Sequence, residues 1–140
     1  ERAGAERLIR LHGSIWHVRC WRACPAGSRD WRDDTVPLPR LPPTCPHCGG
    51  IVRPGVVWFG ESLDPEIVSA AARAAAEADV FLTIGTSAVV YPAAGLIHQA
   101  KRNGAFTVEI NVDGTGATDA VDVALRGKAE EILANMALMI

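Results

Sequence analysis

The residues best equipped for chemistry are four cysteines, Cys20, Cys24, Cys45 and Cys48, the only cysteines in a chain of 140 residues. They form two tight pairs, C-x3-C and C-x2-C, with twenty residues between the pairs. Zinc takes four soft ligands in a tetrahedron, and two short chelating loops can present them. The second loop, Cys45-Pro46-His47-Cys48-Gly49-Gly50, reads as a zinc knuckle. Its glycines let the backbone fold under a metal and offer amides to the sulfurs. Two disulfides are the alternative; they require an oxidising compartment, and nothing in the sequence points to secretion. Four thiolates leave no open coordination position, so the metal would be structural rather than catalytic. His47, between two ligand cysteines, is expected to face solvent.

Two further places carry reactive or ligand-holding residue types. Imidazole titrates near neutral pH, which makes His12, followed by Gly13-Ser14, a candidate general base. On the residues alone, a hydrogen-bonded loop histidine is the commoner outcome, and His17 and His98 are read as structural. Gly85-Thr86-Ser87 directly follows the apolar run Val80-Phe81-Leu82-Thr83-Ile84. Asn111-Val112-Asp113 likewise follows Phe106-Thr107-Val108-Glu109-Ile110. Ligands of open α/β sheets bind at the carboxyl ends of strands, and a small Gly-Thr-Ser loop admits a close backbone approach. Taken alone, such a loop is more often an ordinary connection. There is no G-x-G-x-x-G.

These residues need elements to hold them. Ile15, His17 and Arg19 alternate with Trp16 and Val18, which predicts a strand running into the first cysteine loop. Residues 25–44 carry Pro37, Pro39, Pro42 and Pro43 and read as an exposed excursion anchored by Trp31. Val56-Val57-Trp58-Phe59, ended by Gly60, predicts a short buried strand. Asp64 and Pro65 then open an Ala-rich helix to about Ala78. Val80–Ile84 predicts a buried parallel strand. Pro92 opens a helix over Ala93–Asn103, stopped by Gly104. Phe106–Ile110 is a further strand and Ala120–Leu125 a possible last one. Lys128–Ile140 closes as a helix with Ile132, Leu133, Met136 and Met139 at near-helical spacing. The order predicts an α/β fold, a partial Rossmann-like (doubly wound parallel sheet) domain from 1–17 and 54–140, with a small zinc-binding module at 18–53.

Bulk properties exclude some classes. The composition is 49% hydrophobic and 21% charged, enough apolar material for a globular core. Residues 1–53 hold nine Arg against five acidic residues, while 54–140 hold five basic residues against eleven acidic ones. That asymmetry hints weakly at contact with a polyanion or cofactor, but it lacks the helical basic stripe of a nucleic-acid binder. Residues 80–100 lack charge, yet Gly85-Thr86-Ser87, Pro92 and Gln99 break the run, so no membrane span is expected. No signal or transit peptide is recognised, and the start reads as the middle of a longer chain. A soluble, cytoplasmic, reducing setting is expected.

Taken as an ordered set, these pieces resemble the sirtuins, the NAD-dependent protein-lysine deacylases. The matching residues are Leu11-His12-Gly13, the cysteine quartet, Val56-Val57-Trp58-Phe59-Gly60-Glu61, Gly85-Thr86-Ser87, Val90-Tyr91-Pro92-Ala93-Ala94-Gly95 and Ile110-Asn111. The Val-Val-Trp-Phe-Gly-Glu and Val-Tyr-Pro-Ala-Ala-Gly forms look like the class III branch, which includes lysine desuccinylases. The family's Gly-Ala-Gly cofactor loop, its Gln-Asn-x-Asp segment and the Tyr/Arg pair that reads an acidic acyl group have no counterpart here. The resemblance therefore covers the family's C-terminal portion, and the chain alone is not expected to be catalytically competent.

The resemblance implies a role for each matching residue. His12 would be the general base: after the acyl oxygen of the modified lysine has displaced nicotinamide from NAD, it would take a proton from a ribose hydroxyl. The products would be free lysine and O-acyl-ADP-ribose. Gly85, Thr86 and Ser87 would hold the ribose-phosphate of NAD. Asn111, Val112 and Asp113 would lie by the adenosine ribose, and Ala129 would line the adenine pocket. Gly60-Glu61 and Val89-Val90 would sandwich an acyl-lysine protein or peptide substrate as an added strand. Phe59, Leu63 and Val90 would wall the acyl-lysine tunnel. Cys20, Cys24, Cys45 and Cys48 would hold structural zinc (Zn2+), with C-x3-C where C-x2-C is more usual. Two other functions fit the same residues: NAD-dependent protein ADP-ribosyl transfer, and a non-catalytic zinc-ribbon interaction module.

Overall fold

The computed structural model describes residues 4–27 and 30–138. It divides into two compact units, Glu1–Asp64 and Pro65–Ile140.

The first unit is built on an antiparallel sheet of three strands: β1 (Gly13–Cys20), β2 (Trp31–Arg32) and β3 (Val52–Val56), in the order β2-β1-β3. The alternating segment before the first cysteine pair forms β1, as predicted, and delivers Cys20 at its end. Gly13 pairs with Val56, and Cys20 with Val52. The backbones meet so closely at the first pair that a Cβ on Gly13 would lie 2.0 Å from the Gly55 carbonyl oxygen; Gly13 also has φ +77°. Only glycine fits both conditions. Cys20, Cys45 and Val52 form the core of the unit, with Val18, Cys24 and Trp31 packed against them. Trp31 thus anchors the Pro-rich excursion, of which residues 34–42 are exposed and which contributes the two residues of β2 and a bridge from Thr44 to Ile51.

The expected strand over Val56–Phe59 is corrected. β3 ends at Val56, and the chain turns, with Glu61 N donating to Trp58 O at 2.9 Å and Gly60 at φ +86°. The apolar run is half strand end and half turn, so Trp58 is 43% exposed and Phe59 97%.

The second unit is α/β. It runs α1 (Pro65–Ala76), β4 (Val80–Ile84), α2 (Gly95–Arg102), β5 (Phe106–Asn111), a 3-10 turn at Thr118–Ala120, β6 (Val123–Arg126) and α3 (Ala129–Ala137). The three strands form a parallel sheet in the order β4-β5-β6, with Val80 opposite Phe106 and Val108 opposite Val123. Parallel strands need crossover connections, and α2 supplies the one between β4 and β5. Small side chains let α1 and α2 approach: Ala75, Ala100 and Ala105 form a buried cluster with Ala78, Phe81 and Leu96 against it. Gln99 Nε2 donates across the pair to Ala72 O at 3.1 Å.

Several boundaries shift for local reasons. α2 begins at Gly95 rather than Ala93 because Gly95 N and Leu96 N bond to Pro92 O and Ala93 O, three residues back, in a tighter turn. β6 begins after Asp122, whose carboxylate accepts from Thr107 N at 2.8 Å and Thr107 Oγ1 at 2.7 Å. α1 ends at Ala76. α3 is described to Ala137; Met139, expected on its apolar side, lies outside the described residues. β4 is parallel, as predicted, but not buried: Thr83 is covered, whereas Val80, Leu82 and Ile84 are 56%, 41% and 38% exposed. Phe81 and Thr83 share the face that packs against the Ala75–Ala100–Ala105 cluster, while Val80, Leu82 and Ile84 point to the other face of this edge strand. Among the described residues no helix is long and apolar enough to cross a membrane.

Candidate functional site

The cysteine centre is assembled by two turns of the first unit. In the first, Ala23 N bonds to Cys20 O and Gly27 N to Cys24 O, and Ala23 adopts φ +46°. That left-handed residue takes up the extra position of C-x3-C. In the second, Cys45 N donates to Gly50 O at 2.6 Å and Gly49 N to Cys45 O at 2.9 Å, with Gly49 at φ +69°. Gly50 N points at Cys48 Sγ, 3.4 Å away, as the knuckle reading expected.

All four sulfurs lie within 4.8 Å of one another, with Cys20–Cys48 at 3.6 Å and Cys24–Cys45 at 3.8 Å. No pair is bonded as a disulfide. Zn–S bonds of about 2.3 Å in a tetrahedron place sulfurs about 3.8 Å apart, so the quartet fits zinc. Its electrostatics fit as well. The Cys24 backbone amide draws the Cys20 thiol down to about 7, while burial pushes Cys24 up to about 12. A dication among the sulfurs would reverse that second penalty and hold all four as thiolates. His47 is exposed, its ring edge-on to Trp31 at 6.4 Å, and it is not among the clustered ligands.

His12 occupies the turn before β1 and is exposed. Its carbonyl accepts from Val57 N at 3.0 Å, which joins it to the point where β3 runs out into the loop carrying Phe59, Gly60 and Glu61. Leu63, half-buried, follows that loop. One of the site residues in this unit is strongly held: Glu61 receives Arg53 Nη1 at 2.5 Å, Arg53 Nη2 at 3.0 Å and Trp58 N at 3.0 Å. The Arg53 guanidinium, then the Trp58 amide, lower the Glu61 carboxyl to about 2.

In the second unit the remaining candidates gather at the carboxyl ends of the parallel strands. Gly85, at φ +60°, follows β4 and donates its N–H to Ile110 O at 3.0 Å. Asn111 Nδ2 donates to Thr86 O at 2.8 Å, while Asn111 Oδ1 accepts from Val112 N at 2.9 Å. Gly116 N reaches Ser87 O at 3.4 Å. The 85–87 and 111–113 segments are thus tied side by side, with Val112 and Asp113 exposed. Ala129 opens α3 just beyond β6, at the third strand end. Val89 and Val90 follow the first loop and are 62% and 43% exposed.

Sequence reasoning missed the groups that hold these loops. Glu109, fully buried on β5, accepts from Thr115 Oγ1, from Thr118 Oγ1 at 2.7 Å and from Arg126 Nη1 at 2.9 Å. Arg126 also donates to Asp113 O at 2.9 Å, so the pair fixes the loop after β5. The available signal was an acid at an inward position of an apolar strand, Val108-Glu109-Ile110, which needs a partner. Arg53 is the corresponding omission in the first unit.

Comparison with known proteins follows the same lines. The sequence profile described as the Sir2 family matches residues 1–92. An NAD-dependent protein deacylase of Aquifex aeolicus is 48% identical over 129 residues, which are 92% of this chain and 52% of that protein. NAD-dependent protein deacylase 2 of Pyrobaculum aerophilum is 46% identical over 133 residues, 95% of this chain and 51% of that protein. A crystal structure of a Sir2 homologue in complex with NAD superposes with a TM-score of 0.87 at 43% identity, covering 96% of this chain and 51% of that one. A structure of Sir2Tm bound to a propionylated peptide gives 0.83 at 28% identity, covering 96% of this chain and 56% of that one. The chain spans about half the length of the curated relatives it matches.

Proposed function

This chain belongs to the Sir2 family, and on that premise we propose that its protein is an NAD-dependent protein-lysine deacylase in which the acyl group passes to ADP-ribose and nicotinamide is released. In this reading His12 takes the proton from the ribose hydroxyl. Gly85, Thr86 and Ser87 hold the ribose-phosphate of NAD, and Asn111, Val112, Asp113 and Ala129 receive its adenosine end. The loop Phe59-Gly60-Glu61 with Leu63, and Val89-Val90, bind the acyl-lysine peptide as an added strand. The cysteine quartet holds a structural zinc and takes no part in the reaction.

The observation that carries the reading is the gathering of the three nucleotide-binding candidates at the ends of β4, β5 and β6, with their loops bonded to each other. That is where an open parallel sheet takes its ligand. The rest of the sheet and of the cofactor site would come from the portion that the longer relatives carry. The exposed Val80, Leu82 and Ile84 are suited to be covered by it. A thiolate zinc site also favours a reducing compartment such as the cytoplasm.

The test is to incubate the natural protein containing this segment with NAD and an acetyl-lysine or succinyl-lysine peptide, and to follow products by mass spectrometry. Nicotinamide with O-acyl-ADP-ribose is expected, and the preferred peptide reports the acyl class. ADP-ribose attached to protein would instead mark a transferase. Absence of both products, with zinc bound, would refute the enzymatic reading.

A further inference from the structure

The loop over residues 57–61 buries little of itself, since Phe59 projects into solvent and Gly60 sits at φ +86°. Its shape is imposed chiefly by Arg53 of β3, which is 8% exposed; Arg19 adds only a longer ion pair to the Glu61 carboxylate, at 3.7 Å. Besides the two bonds to the Glu61 carboxylate, Arg53 Nη2 donates to Val56 O at 2.9 Å. Its Cζ lies 3.8 Å from the centroid of the Trp58 ring. One guanidinium therefore fixes the residue at which the strand ends, an aromatic ring within the loop and the carboxylate that closes it. Lysine has neither the fork nor the flat face for this set.

A second aromatic ring completes the cluster. The Trp21 centroid lies 5.8 Å from that of Trp58 and 5.7 Å from Arg53 Cζ. Trp21 is the residue after the ligand Cys20, inside the first zinc knuckle, and its N–H donates to Ile51 O at 2.9 Å. The chain of contacts is short: knuckle backbone, Trp21, Arg53 and Trp58, then Glu61. The four sulfurs come together through their own turns, and neither the Trp21 nor the Arg53 side chain is among the clustered ligands.

We propose that Arg53 is a positioning residue for peptide docking and that Trp21 couples it to the zinc knuckle, so that loop 57–61 keeps its docking shape only while the knuckle is closed. This rests on the reading of 57–61 as the peptide-binding loop. The zinc centre then acts on substrate recognition through named side chains as well as through folding.

The experiment compares the natural protein with Arg53→Lys, Trp21→Ala and Trp21→Phe. Zinc content, amide hydrogen exchange of residues 57–61, and KM for NAD and for an acyl-lysine peptide are measured. Arg53→Lys and Trp21→Ala are expected to keep one zinc per chain, to speed exchange in 57–61 about tenfold and to raise KM for peptide about tenfold, the scale of a partly desolvated cation–π contact. KM for NAD should stay within twofold, and Trp21→Phe should restore most of the loss. Wild-type exchange in 57–61 in zinc-bound Trp21→Ala would overturn the coupling, and in Arg53→Lys the positioning role of Arg53. So would equal rises in the two KM values. Should Trp21→Ala lose zinc, Arg53→Lys and Trp21→Phe decide the matter. A wild-type protein that processes no acyl-lysine peptide sinks the functional reading and the docking role with it, while the exchange data still decide whether the clamp exists.

Discussion

Replacing Arg126 by Met should expose how β5 and its loop are held. Glu109 is fully buried, and Arg126, the cation that pairs with it at 2.9 Å, is 38% exposed. Breaking a buried ion pair by removing one partner costs about 3–5 kcal/mol, because the remaining charge stays desolvated. The Thr115 and Thr118 hydroxyls still donate to the carboxylate and Arg126 is itself partly solvated, which places the expected loss at or below the lower figure, about 2–3 kcal/mol. Glu109→Gln keeps the shape and one acceptor oxygen for Thr118 and Arg126, but its Nε2 faces Thr115 Oγ1, which must turn to accept; the expected loss is about 1–2 kcal/mol.

The pH dependence separates this account from a loss of packing. Burial pushes the Glu109 carboxyl up, but the Thr115 and Thr118 hydroxyls and Arg126 together hold it below its ordinary 4.5. A carboxyl lowered on folding stabilises fully above its unfolded value, and the contribution is lost as pH falls through the lowered folded value. Without Arg126, burial is opposed by the hydroxyls alone and the folded value rises. Protonation then relieves the buried charge, so the penalty of Arg126→Met should shrink as pH falls from about 7 to about 4.5. Urea unfolding of the natural protein and both variants, at the two pH values, measures it. A penalty under about 1 kcal/mol at neutral pH, or one that grows on acidification, would refute the reasoning.

Two other substitutions test separate parts of the structure. Gly13→Ala combines φ +77° with a Cβ 2.0 Å from Gly55 O and should destabilise by at least about 2 kcal/mol. Gly49→Ala, at φ +69° with nothing within 4 Å, should cost only about 1 kcal/mol. Similar losses in the two melting curves would contradict the assigned clash. The protein should carry one zinc per chain, removed by Cys24→Ser, with faster proteolysis between residues 20 and 50. Metal analysis showing full zinc in that variant would remove Cys24 from the ligand set.

What could be read from the sequence was local in origin. The cysteine quartet was legible because chelate spacing within each turn is a property of a few consecutive residues. The β-branched runs at Val80–Ile84 and Phe106–Ile110 marked parallel strands for the same reason, and the loops after them followed. Burial of β4 was not legible, since it depends on what covers an edge strand. The run Val56–Phe59 was misread because hydrophobicity alone does not say where a chain turns; Gly60 and the Arg53–Glu61 pair decide that. Arg53 and Glu109 escaped notice because their partners stand eight and seventeen residues away, at distances only the fold makes short.

The central claim is that His12 acts after nicotinamide has left, by taking the proton of a ribose hydroxyl. The direct measurement uses His12→Ala in the natural protein with an acyl-lysine peptide, NAD and labelled nicotinamide. The account predicts that label still exchanges into NAD while O-acyl-ADP-ribose formation falls by at least about a hundredfold, the scale of a lost general base. O-acyl-ADP-ribose forming at the wild-type rate would contradict it.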